Sequence, residues 1–310
     1  MSRCISPLRS AFDYNGNVTK NQLTAVGSIL FDCRRCLPCR LNGAREKAIR
    51  CVHEASTHED NIFLTLTYDD EHLESPWLIY EHFQTFMLNL RSRLYYEFNG
   101  SKTISFMVTG EYGDKNKRPH WHAIVFNFSP DDKKRKYTTE LGEQVFSSDF
   151  ISELWSRGAA EFGSVTMESA GYVARYAAKK LAHGRDQDHP FQPIHKTSSR
   201  NAIGKSWIER NCRHVFENGF VVLPNGSTAK IPRYYVDWCK SHRPDLYRYY
   251  VTEVLPPLIE KARAETAAAQ WDFADIIRKR KSPLRPLKPV KVSEIILQSK
   301  FKVLQERNKL

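Results

Sequence analysis

The sequence predicts an α+β fold, and three observations predict it. "TISFMVTGEYG" and "RPHWHAIVFNF" are rich in β-formers and follow one another across a turn, as the two arms of a hairpin do. Ile79, Phe83, Phe86, Met87, Leu90 and Leu94 recur at a 3.6-residue period, which makes one apolar stripe along a helix. Hairpins mixed with helices that cover a face define the α+β class.

Taken in order, Ala44, Ala48, Cys51 and Val52 fall at helical spacing in a helix from Arg40 to about residue 57. "NIFLTLTY" alternates, giving a strand from Ile62 to Tyr68. The amphipathic helix that begins near Ile79 ends near Asn99 and Gly100. In the second arm of the hairpin Pro119 suits a strand's first residue, where no ladder donor is needed. Ile124 and Phe126 then share a face with His120 and His122, while Trp121, Ala123 and Val125 take the other. "SPDDKKRKYTTELGEQ" is expected to be a polar surface loop, "SSDFISELWSRG" a capped helix, "AEFGSVTM" a strand and "ESAGYVARYAAKKLA" a helix. Asp186 to Ser199 carries turn signals. The tail reads as a helix from Pro257 to Lys281, a Pro-interrupted basic linker "SPLRPLKPV" and a short final helix. The expected organisation is a cysteine-rich segment with its helix over 1–58, a central domain over 59–250 and a basic helical tail over 251–310.

A chain of 310 residues with 41% apolar and 26% charged residues can bury a full core. No apolar run approaches the ~18 residues of a membrane span, and "MSRCISPLRS" lacks a signal peptide's apolar core, so no membrane partner is expected. The net charge is +12, but the stretch from Arg278 to Leu310 holds eleven Lys or Arg against two Glu and carries most of that excess. A second basic stretch, "CRRCLPCRLNGAREKAIRC", holds Arg34, Arg35, Arg40, Arg45, Lys47 and Arg50. Both fit a nucleic-acid partner.

The seven cysteines, without a secretory signal, are expected as reduced thiols or metal ligands. Cys33, Cys36 and Cys39 have the spacing of a zinc knuckle that needs a fourth ligand, for which Cys4 is the first choice and His53 the second. His120 and His122, two apart on a strand, emerge on one face and can reach one metal ion. Tyr172 and Tyr176 are four apart on the expected helix, with Lys179 one turn further on the same face. A phenol with an ordinary pKa of ~10 needs a metal or a charge to act as a nucleophile. A divalent ion beside a tyrosine therefore points to phosphodiester transesterification rather than hydrolysis.

The P-H-W-H strand, followed about fifty residues later by Y-x-x-x-Y-x-x-K, resembles the HUH endonucleases that initiate rolling-circle replication. "MSRC", "DCRRCLPCR", "FLTLTY", "GEYGDKNKRPHWHAIVF" and "GYVARYAAKK", in that order over roughly residues 1–240, resemble the replication initiators of small single-stranded DNA phages, the gokushovirus branch of the microviruses. The resemblance implies an HUH-type antiparallel sheet of about five strands, related to RNA-recognition-motif folds, with flanking helices and with the tyrosine helix facing the histidines. It implies that Tyr172 and Tyr176 alternate as nucleophiles, nicking origin DNA through a 5′-phosphotyrosine and rejoining the displaced strand, with Lys179 stabilising the phenolate or leaving oxygen. Glu111 is the candidate to complete an Mg²⁺ or Mn²⁺ site with His120 and His122, while Thr65 and Thr67 are expected to be structural. Arg34, Arg35, Arg40, Arg45 and Lys180 are candidate DNA contacts, and the implied partners are single-stranded DNA, the viral origin, and a host helicase and polymerase in the host cytoplasm. "IGKSW" lacks the upstream glycine of a phosphate-binding loop, so no ATPase is expected and "IGKSW" reads as structural. The competing class is a zinc-dependent DNA-binding regulator without chemistry, which leaves the histidine and tyrosine pairs unexplained.

Overall fold

A computed structural model describes residues 4–12, 18–19, 27–113, 116–139, 142–167, 169–171, 173–174, 194–198, 201–279, 287 and 289–307. The chain divides into two compact units, Met1–Gly43 with Pro256–Leu310, and Ala44–Leu255.

The first unit holds a three-stranded antiparallel sheet of β1 (Leu8–Phe12), β2 (Val18–Thr19) and β3 (Gly27–Phe31), in the order β2-β1-β3. Neither LRSAF nor GSILF alternates cleanly, so periodicity does not announce these strands. A long helix α1 (Leu37–Ala55) starts in this unit and runs on into the second.

The second unit is built on a seven-stranded, wholly antiparallel sheet. Its strands are β4 (Asn61–Thr67), β5 (Ser105–Tyr112), β6 (Pro119–Phe126), β7 (Lys134–Thr138), β8 (Gln144–Ser147), β9 (Ala160–Gly163) and β10 (Ile194–Thr197), in the order β10-β5-β6-β4-β9-β8-β7. The expected hairpin is β5 and β6, paired from Ser105 with Phe126 to Tyr112 with Pro119. The sheet has seven strands where about five were expected. The supposed polar loop contains β7 and β8, and the turn-like segment before Ser199 contains β10. The reason is physical: all five residues of β7 are exposed and β10 is a four-residue edge strand, so neither shows an inward-outward alternation.

Helices α2 (Tyr80–Glu97) and α3 (Asp149–Trp155) pack on one face of the sheet. Phe83, Leu90, Trp121, Val125, Ile151 and Trp155 are buried there, each large apolar side chain contributing about 1.5–3 kcal/mol. α2 stops where Asn99 and Gly100 turn to positive φ, 48° and 75°, and the Gly100 amide donates to the Tyr95 carbonyl at 2.9 Å. Ser148 caps α3 by accepting the Ile151 amide at 3.1 Å. On the other face Ala48, Cys51 and Val52 of α1, with Ala170, Val173 and Ala174, bury against Met107, Ile124 and Phe126. The split within β6 is the expected one, Trp121, Ala123 and Val125 to one core and Ile124 and Phe126 to the other.

A third core joins Ile49 of α1 to helices α4 (Lys205–Asn218) and α5 (Arg233–His242), the hairpin of β11 (Val221–Val222) and β12 (Thr228–Ala229), and Tyr250. A six-residue helix α6 (Pro244–Tyr249) and a π-helical turn, Tyr250–Val254, lead into α7 (Leu255–Lys279). The last helix, α8 (Pro289–Arg307), is 19 residues long rather than short. Among the described residues no helix is long and apolar enough to cross a membrane.

Candidate metal centre

The register places His120 opposite Glu111 on one side and Thr67 on the other, and His122 between Thr109 and Thr65. Because side chains alternate, all six lie on the face shared with α1. One oxygen of Glu111, Oε1, lies 3.1 Å from His120 Nε2 and 2.9 Å from His122 Nε2. The far side of each ring is held too: His120 Nδ1 lies 3.1 Å from the Arg118 carbonyl oxygen and His122 Nδ1 lies 3.0 Å from the Thr65 hydroxyl. Phe63 stacks on His122 with centroids 5.7 Å apart.

These contacts fix the chemistry of the site. A carbonyl oxygen only accepts, so His120 Nδ1 carries the hydrogen and, in the neutral ring, Nε2 presents a lone pair to Glu111. Burial alone would raise the Glu111 carboxyl, but the hydrogen bonds with His120 and His122 outweigh it and hold it down to about 2. Burial pushes the His122 imidazole below the ordinary histidine range. An ionised carboxylate thus faces two imidazole nitrogens in a buried space, an arrangement short of one positive charge. A divalent cation with nitrogen and oxygen ligands fits that donor set, with the Nδ1 partners orienting the rings from behind.

Cys4, Cys33, Cys36 and Cys39 form a second cluster, in the first unit, with ligand atoms within 4.8 Å of one another. The Cys33 amide donates to Cys4 Sγ and the Cys36 amide to Cys33 Sγ, both at 3.3 Å. Arg34, at φ 56°, makes the turn between them. Cys36 and Cys4 sulfurs lie 3.8 Å apart. A zinc tetrahedron with ~2.3 Å bonds has edges of ~3.8 Å, so the spacing fits that ion. Burial alone would raise Cys33, yet the Cys36 and Arg35 amides lower it to about 7, while burial raises Cys39. The fourth member is Cys4. His53, the second choice, has its Nδ1 3.0 Å from the Tyr235 hydroxyl, its Nε2 3.1 Å from the Val222 carbonyl oxygen, and its ring stacked on Trp207.

Of the candidate DNA contacts, Arg34, Arg35 and Arg45 are exposed and Arg40 is half-buried. Tyr172, Tyr176, Lys179 and Lys180 lie outside the described residues. Their described neighbours Val173 and Ala174 are fully buried on the metal-centre face, and the Val173 carbonyl accepts from the Thr109 hydroxyl at 3.2 Å. "IGKSW" is structural: the Gly204 amide donates to Glu54 Oε2 at 2.7 Å, so it is not presented to a phosphate. What the sequence reading missed is the supporting set, Thr65 against His122 and Thr109 against His195, and its only signal is their cross-strand position beside the histidine strand.

A fold of this kind, carrying a Glu-His-His cluster on its central strands, matches over residues 61–181 a family model of the replication-associated protein ORF2. The chain is 51% identical to the replication-associated protein VP4 of Bdellovibrio phage phiMH2K, covering 99% of both. It is 33% identical to the replication-associated protein ORF4 of Chlamydia phage 1, over 74% of this chain and 57% of that one. With the replication-associated protein ORF2 of Spiroplasma virus 4 it shares 32% identity, over 66% of this chain and 65% of that one. The chain belongs to the replication-associated proteins of microvirus-type phages. No solved structure matches it.

Proposed function

We propose that this chain is an HUH-type initiator of rolling-circle replication, which nicks single-stranded or origin DNA and rejoins the displaced strand by transesterification. The observation that carries the reading is the Glu111, His120 and His122 cluster, whose acceptor atoms converge on the sheet face where Val173 and Ala174 are buried. Tyr172 and Tyr176 flank those two residues in the sequence. Membership of a phage replication family agrees with it.

Glu111, His120 and His122 would hold an Mg²⁺ or Mn²⁺ ion, which when bound polarises a phosphate oxygen and offsets charge during in-line displacement. Arg118 and Thr65 keep the two rings aimed. A tyrosine oxygen forms the new bond to phosphorus as the bond to the 3′ oxygen breaks. The DNA 5′ end is left on the tyrosine as a phosphodiester, and the 3′ oxygen takes a proton to become a free hydroxyl. Attack by the second tyrosine on the regenerated junction, and then by that 3′ hydroxyl on the phosphotyrosine, closes the circle without loss of the ester bond. Lys179 stabilises the phenolate or the leaving oxygen. Cys4, Cys33, Cys36 and Cys39 would hold a structural zinc. The freed 3′ end would serve a host polymerase, and a host helicase would separate the strands, in the host cytoplasm.

The test is a DNA adduct that survives denaturation. Incubation with circular single-stranded phage DNA and Mn²⁺ should give one, chelation or His120→Ala should prevent it, and Tyr172→Phe with Tyr176→Phe together should abolish it. A doubly substituted protein that still forms the adduct, or a wild-type protein that binds DNA and forms none, would refute the assignment. The second outcome would leave the zinc-dependent DNA-binding regulator.

A further inference from the structure

We propose that a basic pocket beside the metal centre, walled by Lys47 and Arg50, binds a phosphate of the single DNA strand next to the one that is cut. The proposal rests on the single-strand substrate read above and adds a subsite to it.

The pocket has a volume of about 290 Å³, with Lys47, Arg50 and Cys51 on one side and Met107, His195 and Thr197 on the other. That is the small end of ligand-sized cavities, room for one phosphate and part of its nucleoside and too little for a duplex. The lining follows from the two periodicities. Lys47, Arg50 and Cys51 stand three and four residues apart on α1 and share a helix face. His195 and Thr197 on β10 pair with Thr109 and Met107 on β5, so they stand on the metal-centre face. Lys196, between them, belongs to the opposite face, its amine 5.7 Å from the Tyr80 ring centroid.

Its charge is uncompensated from within. Glu54, one turn beyond Arg50, is occupied by the Gly204 amide and the Ser105 hydroxyl. Arg50 is pre-positioned: Nε donates to the Ile203 carbonyl at 2.9 Å and the guanidinium lies 4.1 Å from the Tyr234 ring centroid. Burial, and then the Arg50 charge beside it, lowers the Lys47 ammonium below the ordinary lysine range. An anion reverses that penalty. Two close cations, one rigid and one flexible, are the pair that phosphate recognition uses.

The place in the fold selects which phosphate. His195, Thr109, His122 and Thr65 form one row across four adjacent strands, and the Thr109 hydroxyl lies 2.9 Å from His195 Nδ1. Two strand spacings separate His195 from His122, roughly 10 Å. A strand laid across the sheet with one phosphate at Glu111, His120 and His122 brings a neighbouring phosphate over Lys47 and Arg50. The subsite thereby fixes which bond sits at the metal.

The experiment uses the full chain and a fluorescent oligo-dT of about 20 nucleotides, with binding read by anisotropy across a salt series and cleavage read separately on phage DNA. Lys47→Gln should weaken oligo-dT binding roughly tenfold and lower the log-log salt slope by ~0.7, the share of one phosphate in a single strand. Lys47→Arg should restore both. Arg45→Gln, on the same helix and exposed, should change neither binding nor slope by a comparable amount. A Lys47→Gln protein with wild-type affinity and slope overturns the subsite, whatever the wild type does to phage DNA. So does inorganic phosphate that competes for Lys47 labelling by pyridoxal phosphate and borohydride when oligo-dT does not, for the pocket would then be a free-anion site. A wild type that cuts no DNA yet shows the Lys47-dependent slope keeps the subsite and removes the nicking reading alone.

Discussion

Replacing Gly110 by alanine should disturb the metal centre from behind. Gly110 stands between Thr109 and Glu111 on β5 and pairs with Trp121, the residue between the two histidines. A Cβ at this position would come within 2.5 Å of Trp121 Cζ3 and 2.8 Å of Leu78 Cδ2. Trp121 cannot swing away, for it is fully buried, its Nε1 donates to the Tyr68 hydroxyl at 3.0 Å, and Phe83 lies against it with centroids 5.7 Å apart. Overpacking of a closed core costs about 1–3 kcal/mol. Relief requires β6 to shift under Trp121, and that moves His120 and His122 relative to Glu111, so Mn²⁺ affinity should fall roughly 10- to 100-fold as in loss of an orienting partner. Urea unfolding with and without EDTA gives the first quantity, and Mn²⁺ titration calorimetry gives the second. Adding Trp121→Phe should return part of both, a positive coupling of the pair. Gly110→Ala within about 0.5 kcal/mol of wild type, with unchanged Mn²⁺ affinity, would refute the reasoning.

Three further outcomes are expected. Cys36→Ser should release one equivalent of zinc, read by elemental analysis, and lower the melting temperature of the first unit, since a closed zinc site contributes folding energy directly; normal stability with no zinc in the wild type would reject the site. His53, 2% exposed and lowered to about 4 by burial, is neutral in the folded chain and protonates near 6.5 when unfolded, so its contribution is complete above ~6.5 and drains away as pH falls toward 4. The loss amounts to about 3 kcal/mol, and His53→Gln should flatten the fall in unfolding free energy between about pH 7 and 4; identical pH slopes would remove His53 from the account. Deleting Arg278 to Leu310 should weaken DNA binding uniformly across sequences and flatten its salt dependence without moving the cut site, and a moved cut site would mean that the tail reads sequence.

The elements that periodicity reveals are those with one buried face. β4 alternates half-buried and buried along all seven residues, and α2 buries Phe83, Phe86, Met87, Leu90 and Leu94, the expected stripe with Ile79 left just outside as its N-cap. β7 and β10 carry no such record, because an edge strand in water has nothing to alternate against. The helical third core was equally silent, although Tyr235, Trp238 and Phe216 are buried as α2's residues are. Its partners come from 49 to 250 in the sequence, and no local window contains them. The site shows the same division. His120, His122, Glu111 and the four cysteines could be read from spacing, since a ligand type at a fixed interval is local information. Thr65, Thr109 and His195 could not, since they reach the centre only through the register of β4, β5, β6 and β10.

The tryptophan between the histidines joins these two levels. A metal centre needs ligands held to a fraction of an ångström, and exposed strands do not supply that by themselves. In this sheet the odd residues of β6 lock into the α2 core through Trp121, Tyr68 and Phe83, and the even residues carry His120 and His122 on the opposite face. Rigidity is therefore generated on the side that has no chemistry and transmitted by the backbone, one residue at a time, to the side that has it. The same alternation places Gly110 rather than a larger residue beside Glu111, because Trp121 fills the space on the far side of β5. H-W-H is thus one unit, two ligands and the anchor that aims them, and its middle residue is as much a part of the site as the outer two.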